Sequence, residues 1–484
     1  MPISALPSRY GIGTIGRAAY DFADFLKEAG QKYWQILPLG PTGYGDSPYS
    51  SFSAYAGNPY LIDLEMLMED GLLTAEEADT CDWESDPEQA DYGKIYENRF
   101  RILQMAKDRG WKRDAAQVRR FQEENKGWLD NYALFMALKR KFEMTAWTKW
   151  PEEIRLRCPE AMEQYRELLK EDTELFVYIQ YLFFRQWDRL KSYIHTQGIR
   201  VIGDIPIYVA MDSADVWAEP EWFQLDSRGV PTEVAGVPPD YFSADGQLWG
   251  NPLYRWDKMK EDGFGWWIRR IDGAGKLYDV IRIDHFRGFD EYWAVPGGET
   301  SAKNGQWKKG PGMDLITALK GWFPHLEFIA EDLGYPTPTV AQLLTDSGWP
   351  GMKVLVFAFD SRDSGSYLPH TYTPNCICYT GTHDNTPVDL WKQEASEEDV
   401  RAAQTYLGLN EQEGFVWGFI RGGMSSVANL FIAQMQDYLG LGTGCRINVP
   451  GTLSGNWTWR MREGAAGKAL AAKIRHLTEI YDRI

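Results

Sequence analysis

Cysteine, histidine and long apolar runs are all scarce in this chain. Five cysteines (Cys81, Cys158, Cys376, Cys378 and Cys445) in 484 residues are too few to staple a fold of this length, and their number is odd. They read as reduced, mostly buried thiols in a cytosolic compartment. Cys376 and Cys378 lie inside an apolar run, and no second Cys/His cluster has ligand spacing, so no metal is expected. No apolar stretch reaches the ~18–20 residues of a membrane helix. The opening MPISALPSRYGIG lacks a basic n-region and an apolar h-region, so no secretory leader is expected. Basic residues number 51 against 69 acidic ones, for a formal net charge of -18. Such a surface repels nucleic acid and anionic membranes, so neither is expected as a partner.

What the chain does have is aromatic side chains. They make up 14% of the residues, with 21 Trp, in an otherwise ordinary globular mix of 44% hydrophobic and 25% charged residues. Most of them belong in a core. Trp and Tyr also offer a flat apolar face with a polar edge, which suits the C–H side of a sugar ring. The length allows one large α/β barrel with insertions or two to three smaller domains.

Short β-branched runs alternate with helical patterns. Strands are predicted at 31–37, 199–209, 278–284, 326–332, 352–360, 375–384 and 445–450, with an eighth near Ile3. Helices such as 18–30 and 337–348 separate them, which reads as βαβ units around a parallel sheet. Eight units would close a (β/α)8 barrel, and an open doubly wound sheet is the alternative. From about Leu64 to His195 apolar residues recur at i, i+3, i+4 and i+7 and no strand is convincing, which reads as a helical subdomain inserted in the barrel (64–195). The C-terminal GAAGKALAAKIRHLTEIYDRI reads as one closing helix, with no room for a separate C-terminal β-domain.

GIGTIG (Gly11, Gly13, Gly16) matches a dinucleotide fingerprint. However, Pro2 and Pro7 spoil the strand that should precede it, and no acid follows ~20 residues on. A tight loop at the barrel mouth is the better account, and no cofactor is expected.

The chemistry is carried by strand ends. YDVIRIDHFRGFD delivers Asp284 and His285, EFIAEDLG delivers Glu331, CYTGTHDN delivers His383 and Asp384, and VIGDIPIYV carries Asp204. Each alone could be a helix N-cap. Together they would converge, because the C-terminal ends of parallel strands meet at one mouth. Crowded acids raise one another's pKa, a cost accepted where a proton donor must stay protonated near neutral pH. Glycoside cleavage uses such a cluster.

RIDHFRG, AEDLG and GTHDN resemble three motifs of the α-amylase superfamily. LPLGPTGYGDSPYSSFSAYAGNPYLIDL and PPDYFSADGQLWGNPLY are similar to stretches of the 4-α-glucanotransferases of glycoside hydrolase family 77, and the likeness runs from YGIGTIG to GTLSGNWTWR. The resemblance implies a (β/α)8 barrel and gives roles by position. Asp284 would be the nucleophile, Glu331 the acid/base and Asp384 the transition-state stabiliser. Arg282 would keep the nucleophile ionised, and His383 and His285 would bind sugar hydroxyls. Asp204 and Tyr49 fall on further motif positions, with Tyr49 packing at a donor sugar and Ser47 beside it among the substrate-binding residues.

The stretch 236–252 is expected to be a lid loop. Trp249 would stack on an acceptor glucose, with Gln247 and Asn251 available for hydroxyls. The expected activity is transfer of an α-1,4-glucan segment to glucose or another glucan, by a cytoplasmic monomer or homodimer. An α-amylase-like hydrolase and a glucan-binding protein with a silent site are the alternatives.

Overall fold

Seven short strands lie parallel in the order in which the chain makes them. The computed structural model describes residues 1–239, 244–334, 337–360 and 367–484. Along the chain the strands are β1 (Tyr33–Gln35), β2 (Arg200–Ile205), β3 (Glu233–Val237), β4 (Gln247–Pro252), β5 (Val280–Ile283), β6 (Glu291–Pro296), β7 (Gln306–Lys309), β8 (Glu327–Ala330), β9 (Gly351–Val354), β10 (Cys376–Tyr379) and β11 (Leu430–Ile432). One parallel sheet has the order β1-β2-β5-β8, and a second places β10 between β9 and β11. The Ala330 amide donates to the Pro350 carbonyl at 2.9 Å and carries the arc from β8 to β9. Helices Gly265–Leu277, Gly312–Trp322 and Pro338–Ser347 make the crossovers into β5, β8 and β9. Every residue of β5 is buried, as expected for a parallel strand covered on both faces. This is α/β barrel architecture.

The structure corrects the strand expectations in three places. The segment near Ile3 is a 3-10 turn, Ile3–Ala5. Pro2 and Pro7 flank it, and each lacks a ladder donor. The stretch 445–450 is irregular, because its backbone is committed to loop contacts. The Asn448 amide donates to the His383 carbonyl, and the Ile447 carbonyl accepts from Trp457. The strand beside β10 is instead β11, three residues long. Among the described residues no ladder joins β11 to β1. Side chains and the chain start reach β1 there: the Tyr379 hydroxyl donates to Gln35 Oε1 at 3.0 Å, and the Met1 amine to the Gln35 carbonyl at 3.2 Å.

A second sheet, antiparallel in the order β4-β3-β6-β7, grows from the two crossovers that flank β5. The expected lid loop 236–252 is therefore largely a hairpin. Val237 pairs with Gln247 and Val234 with Pro252, with an irregularity between Val234 and Gly236. Residues 240–243 of that segment lie outside the described residues. Gly250 and Pro252 made the stretch read as loop, yet an edge strand tolerates a glycine and a terminal proline.

Between β1 and β2 the chain from 64 to 195 forms helices and contributes no strand to any sheet. Lys170–Thr196 is the longest, at 27 residues, and buries Leu175, Tyr178, Ile179, Leu182 and Phe183 among others. These residues share one apolar cluster with Trp34, Ile205 and Ile281 of the parallel sheet. Gly198, at φ 76, then turns the chain into β2, a left-handed step that glycine makes without a Cβ clash. The GIGTIG turn owes its glycines to close packing. A Cβ at Gly13 would lie 2.0 Å from the Ile3 carbonyl oxygen, and one at Gly16 1.9 Å from Asp63 Oδ2. Among the described residues no helix is long and apolar enough to cross a membrane.

Candidate active site

The register of β5 against β8 sets the centre of the site. Ile283 pairs with Ala330. The next residues, Asp284 and Glu331, therefore leave neighbouring strands side by side, at the ~4.8 Å spacing of strands in a sheet. Glu331 is fixed by backbone amides: His285 donates to Oε2 and Leu333 to Oε1, both at 2.7 Å. His285 sits in a left-handed conformation, φ 53 and ψ 49, uncommon for a residue with a side chain. That twist belongs to the turn that presents its amide to Glu331.

Arg282 explains why a core strand ends in charge. It is 3% exposed and forms ion pairs with Asp204 and, at 3.2 Å, with Asp284 Oδ1. Asp204, on β2, also accepts from the Tyr49 hydroxyl at 2.7 Å, while its Oδ1 has no partner among the described residues. One cation thus serves two carboxylates in a water-poor centre. Burial pushes the Asp284 carboxyl well up, with Asp204, Glu331 and Asp384 adding to the rise and Arg282 opposing it. Burial likewise pushes Glu331 up to about 6, against the pull of Arg282 and its two amides. Neighbouring carboxylates of this kind retain a proton between them near neutrality. Arg282, in direct contact with Asp284, opposes the rise at that carboxyl and, from farther off, at Glu331 as well.

Asp384 arrives differently. β10 ends at Tyr379, five residues earlier, and no strand carries Asp384 into place. Asn448 Nδ2 donates to its Oδ1 at 2.6 Å, and Arg446 Nη2 to its backbone carbonyl, also at 2.6 Å. The His383 ring lies 3.4 Å from the same Oδ1. Asn448 and Arg446 are the positioning residues that sequence reasoning missed. The available signal was polar side chains inside the apolar-looking stretch CRINVP.

Aromatic rings line two sides. Tyr49 stacks on His383 with centroids 4.9 Å apart, and Trp457 tilts against both, at 5.9 and 5.7 Å. On the antiparallel sheet Trp249, 38% exposed, meets His285 edge-on at 4.8 Å. Gln247 and Trp249, two residues apart, share one face of β4. Gln247 Oε1 accepts from Trp249 Nε1 at 3.1 Å, and the Asn251 amide donates to the Val209 carbonyl at 2.9 Å. Ser47 serves the turn before Tyr49, its hydroxyl accepting from the Tyr49 amide at 3.3 Å. Burial lowers both imidazoles, His285 to about 4. Both are therefore neutral near pH 7, each able to donate and accept a hydrogen bond. Tyr49, Asp204, Arg282, His285, His383 and Trp249 thus gather around the carboxylates, while Ser47 and Asn251 each also make a local hydrogen bond. Among the described residues no cluster of three or more His, Cys, Asp or Glu is arranged to hold a metal ion.

Known proteins resemble this chain along its whole length. The family profile described as 4-alpha-glucanotransferase, of glycoside hydrolase family 77, matches residues 1–466. A 4-alpha-glucanotransferase of Clostridium butyricum is 50% identical over the whole of both chains. One of Streptococcus pneumoniae is 46% identical, covering 100% of this chain and 96% of its own. The amylomaltase of Streptococcus agalactiae, solved with acarbose, superposes with a TM-score of 0.97 at 42% identity, covering 100% of this chain and 98% of that one. The chain belongs to glycoside hydrolase family 77, the 4-alpha-glucanotransferases.

Proposed function

We propose that this 4-alpha-glucanotransferase works by two displacements at one anomeric carbon. Asp284 attacks C1 of an α-1,4-linked donor, the C1–O4 bond breaks, and Glu331 gives its proton to the departing 4-oxygen. The donor's reducing-end part leaves and the rest stays covalently bound to Asp284. Glu331, now a carboxylate, takes the proton from an acceptor 4-hydroxyl as that oxygen attacks C1 and releases Asp284. The two inversions give retention, the outcome expected when the two carboxyl groups stand ~5–5.5 Å apart. Asp384 faces the charge that develops on the ring, and His285, His383, Asp204 and Tyr49 hold sugar hydroxyls.

The observation that carries this reading is the pairing of Asp284 with Glu331 on adjacent strands, with Arg282 in contact with the former. Acceptor choice follows from the second sheet. Trp249 offers a stacking face beside His285, which seats a sugar where water would otherwise attack. In this reading 236–252 is the lid and 64–195 a helical insertion that backs the barrel. The substrates are α-1,4-glucans, malto-oligosaccharides and glucose, and the protein is cytoplasmic.

Maltotriose tests it. Transfer gives glucose and a ladder of longer oligomers at constant reducing-end count. A rise in reducing ends would identify a hydrolase instead, and no change at all a binding protein.

A further inference from the structure

A cavity of about 380 Å3 lies between 147–157 on one side and 217–229 on the other, with Arg255 on its wall. None of the catalytic or sugar-binding residues named above lines it. Its chemistry is set by arginines, in a chain whose net charge is -18.

Arg157 is the most informative. Helix Glu152–Arg155 ends in a Schellman motif: the Cys158 amide donates to the Glu153 carbonyl at 2.8 Å and the Arg157 amide to the Ile154 carbonyl at 3.2 Å. The residue between is left-handed, here at φ 58. Glycine is usual there, because a Cβ in that conformation costs ~1–2 kcal/mol. An arginine in a glycine position points to work done by its side chain. That side chain is half-buried. Its Cζ lies 4.3 Å from the Trp217 ring centre, and Nη2 donates to Asn131 Oδ1 at 2.9 Å. Nη1 is buried without a partner among the described residues. Glu221 and Glu219 act on it only through space, and burial lowers its pKa to about 10.

The neighbours repeat the pattern. Arg155 Nε is buried and unpartnered. Its ion pair is a 3.7 Å contact with Glu152, a side chain 74% exposed, and such pairs contribute little. Arg255 donates to the Phe223 and Leu225 carbonyls at 2.7 and 2.6 Å, which uses two of its five N–H groups and does not compensate its charge. Of the two acids on the wall, Asp226 is taken up by its own turn, accepting from the Arg228 and Val230 amides at 2.8 and 2.9 Å. Glu221 is exposed. Half-buried guanidinium groups such as Arg157, which forms no ion pair among the described residues, bear desolvation that is only partly offset. An oxyanion meets their fork geometry. The volume lies within the ~300–1,000 Å3 of small-molecule sites, more than a bare phosphate fills. Trp147 and Trp217 border it as buried rings, so the wall is apolar as well as cationic, as a ring-bearing ligand needs.

We propose that this cavity is a second small-molecule site that binds a phosphate monoester carried on a sugar-sized ring, through Arg157 and Arg155.

Calorimetric titration of the full chain with glucose 1-phosphate, glucose 6-phosphate, inorganic phosphate and glucose tests this. At least one sugar phosphate should bind saturably, about tenfold or more tighter than inorganic phosphate, and excess glucose, which fills the catalytic cleft, should not displace it. Arg157→Gln should weaken that binding by about tenfold or more while glucan transfer without phosphate is unchanged, which also shows that the variant folds. Arg155→Gln should weaken it too. Absence of saturable binding in the millimolar range would overturn the proposal. So would equal affinity for inorganic phosphate, equal affinity in wild type and Arg157→Gln, or loss of binding in Asp284→Asn instead, which would place the ligand in the catalytic cleft.

Discussion

Two parts of the catalytic mouth are built on different principles. Asp284 and Glu331 stand one residue beyond paired strands, so the β5–β8 ladder places them. Asp384 stands five residues beyond β10 and depends on Asn448 and Arg446, more than 60 positions later in the chain. The first arrangement is local, rigid and set by backbone. The second is assembled by side chains from a distant segment. In the proposed mechanism the nucleophile and the acid must pass a covalent bond and a proton to and from the sugar within fractions of an ångström, whereas a stabilising charge acts through space and tolerates a softer mount.

The largest effect should come from the rigid pair. Asp284→Ala should lower kcat by several orders of magnitude. Glu331→Ala should lower it by about 100- to 10,000-fold with maltotriose, but far less with α-glucosyl fluoride, whose leaving group needs no proton. An equal loss with both donors would remove Glu331 from the acid role. Next comes the soft mount. Asn448→Ala should lower kcat by about 100-fold, the scale of an ångström's misplacement, with KM changed much less. An unchanged kcat would show that Asp384 needs no clamp and erase the contrast.

The third test uses pH. With Glu331 pushed up to about 6 by burial, kcat/KM should fall as pH rises through about 6, and Glu331→Gln should abolish that limb from its residual rate. Stability follows the same group. Its folded pKa lies above the ordinary 4.5, so the folded state holds the proton more tightly than the unfolded one. The stability this contributes is complete below pH 4.5 and is lost as pH rises through about 6, a change of about 2 kcal/mol. Denaturant titrations of wild type at pH 4 and pH 7, set against Glu331→Gln, should differ by about that amount. The smallest effect belongs to the second sheet. Trp249→Ala should raise the share of hydrolysis among products by less than about tenfold, 1.4 kcal/mol, and a ratio that does not move would relieve Trp249 of its acceptor role.

The same contrast explains how much could be read from the sequence. Asp284 and Glu331 announce themselves because Val280, Ile281 and Ile283, and Phe328 and Ile329, make unmistakable buried strands just before them. Asn448 was hidden because its neighbours Ile447 and Val449 mimic a strand, and only a long-range hydrogen bond shows that the segment is a clamp. β11 is three residues long, too short for periodicity to register. The antiparallel sheet escaped notice because EVAGV and QLWGNP carry glycine and small residues. Their strand character comes from cross-strand pairing, such as Gly236 with both Leu248 and Trp293, and not from propensity. Individual helices within 64–195, such as Leu129–Lys141 and Lys170–Thr196, were readable because 3.6-residue periodicity is a local signal.

The clamp on Asp384 also sets an order of events during synthesis. A ribosome releases the nucleophile and the acid more than a hundred residues before Asn448 emerges. A nascent chain can therefore fold its paired strands while its third carboxylate is still unmoored, and it should acquire full turnover only when it is almost finished. Chains stalled just short of Arg446 and just past Trp457 would show this directly, as near-silence followed by an abrupt gain.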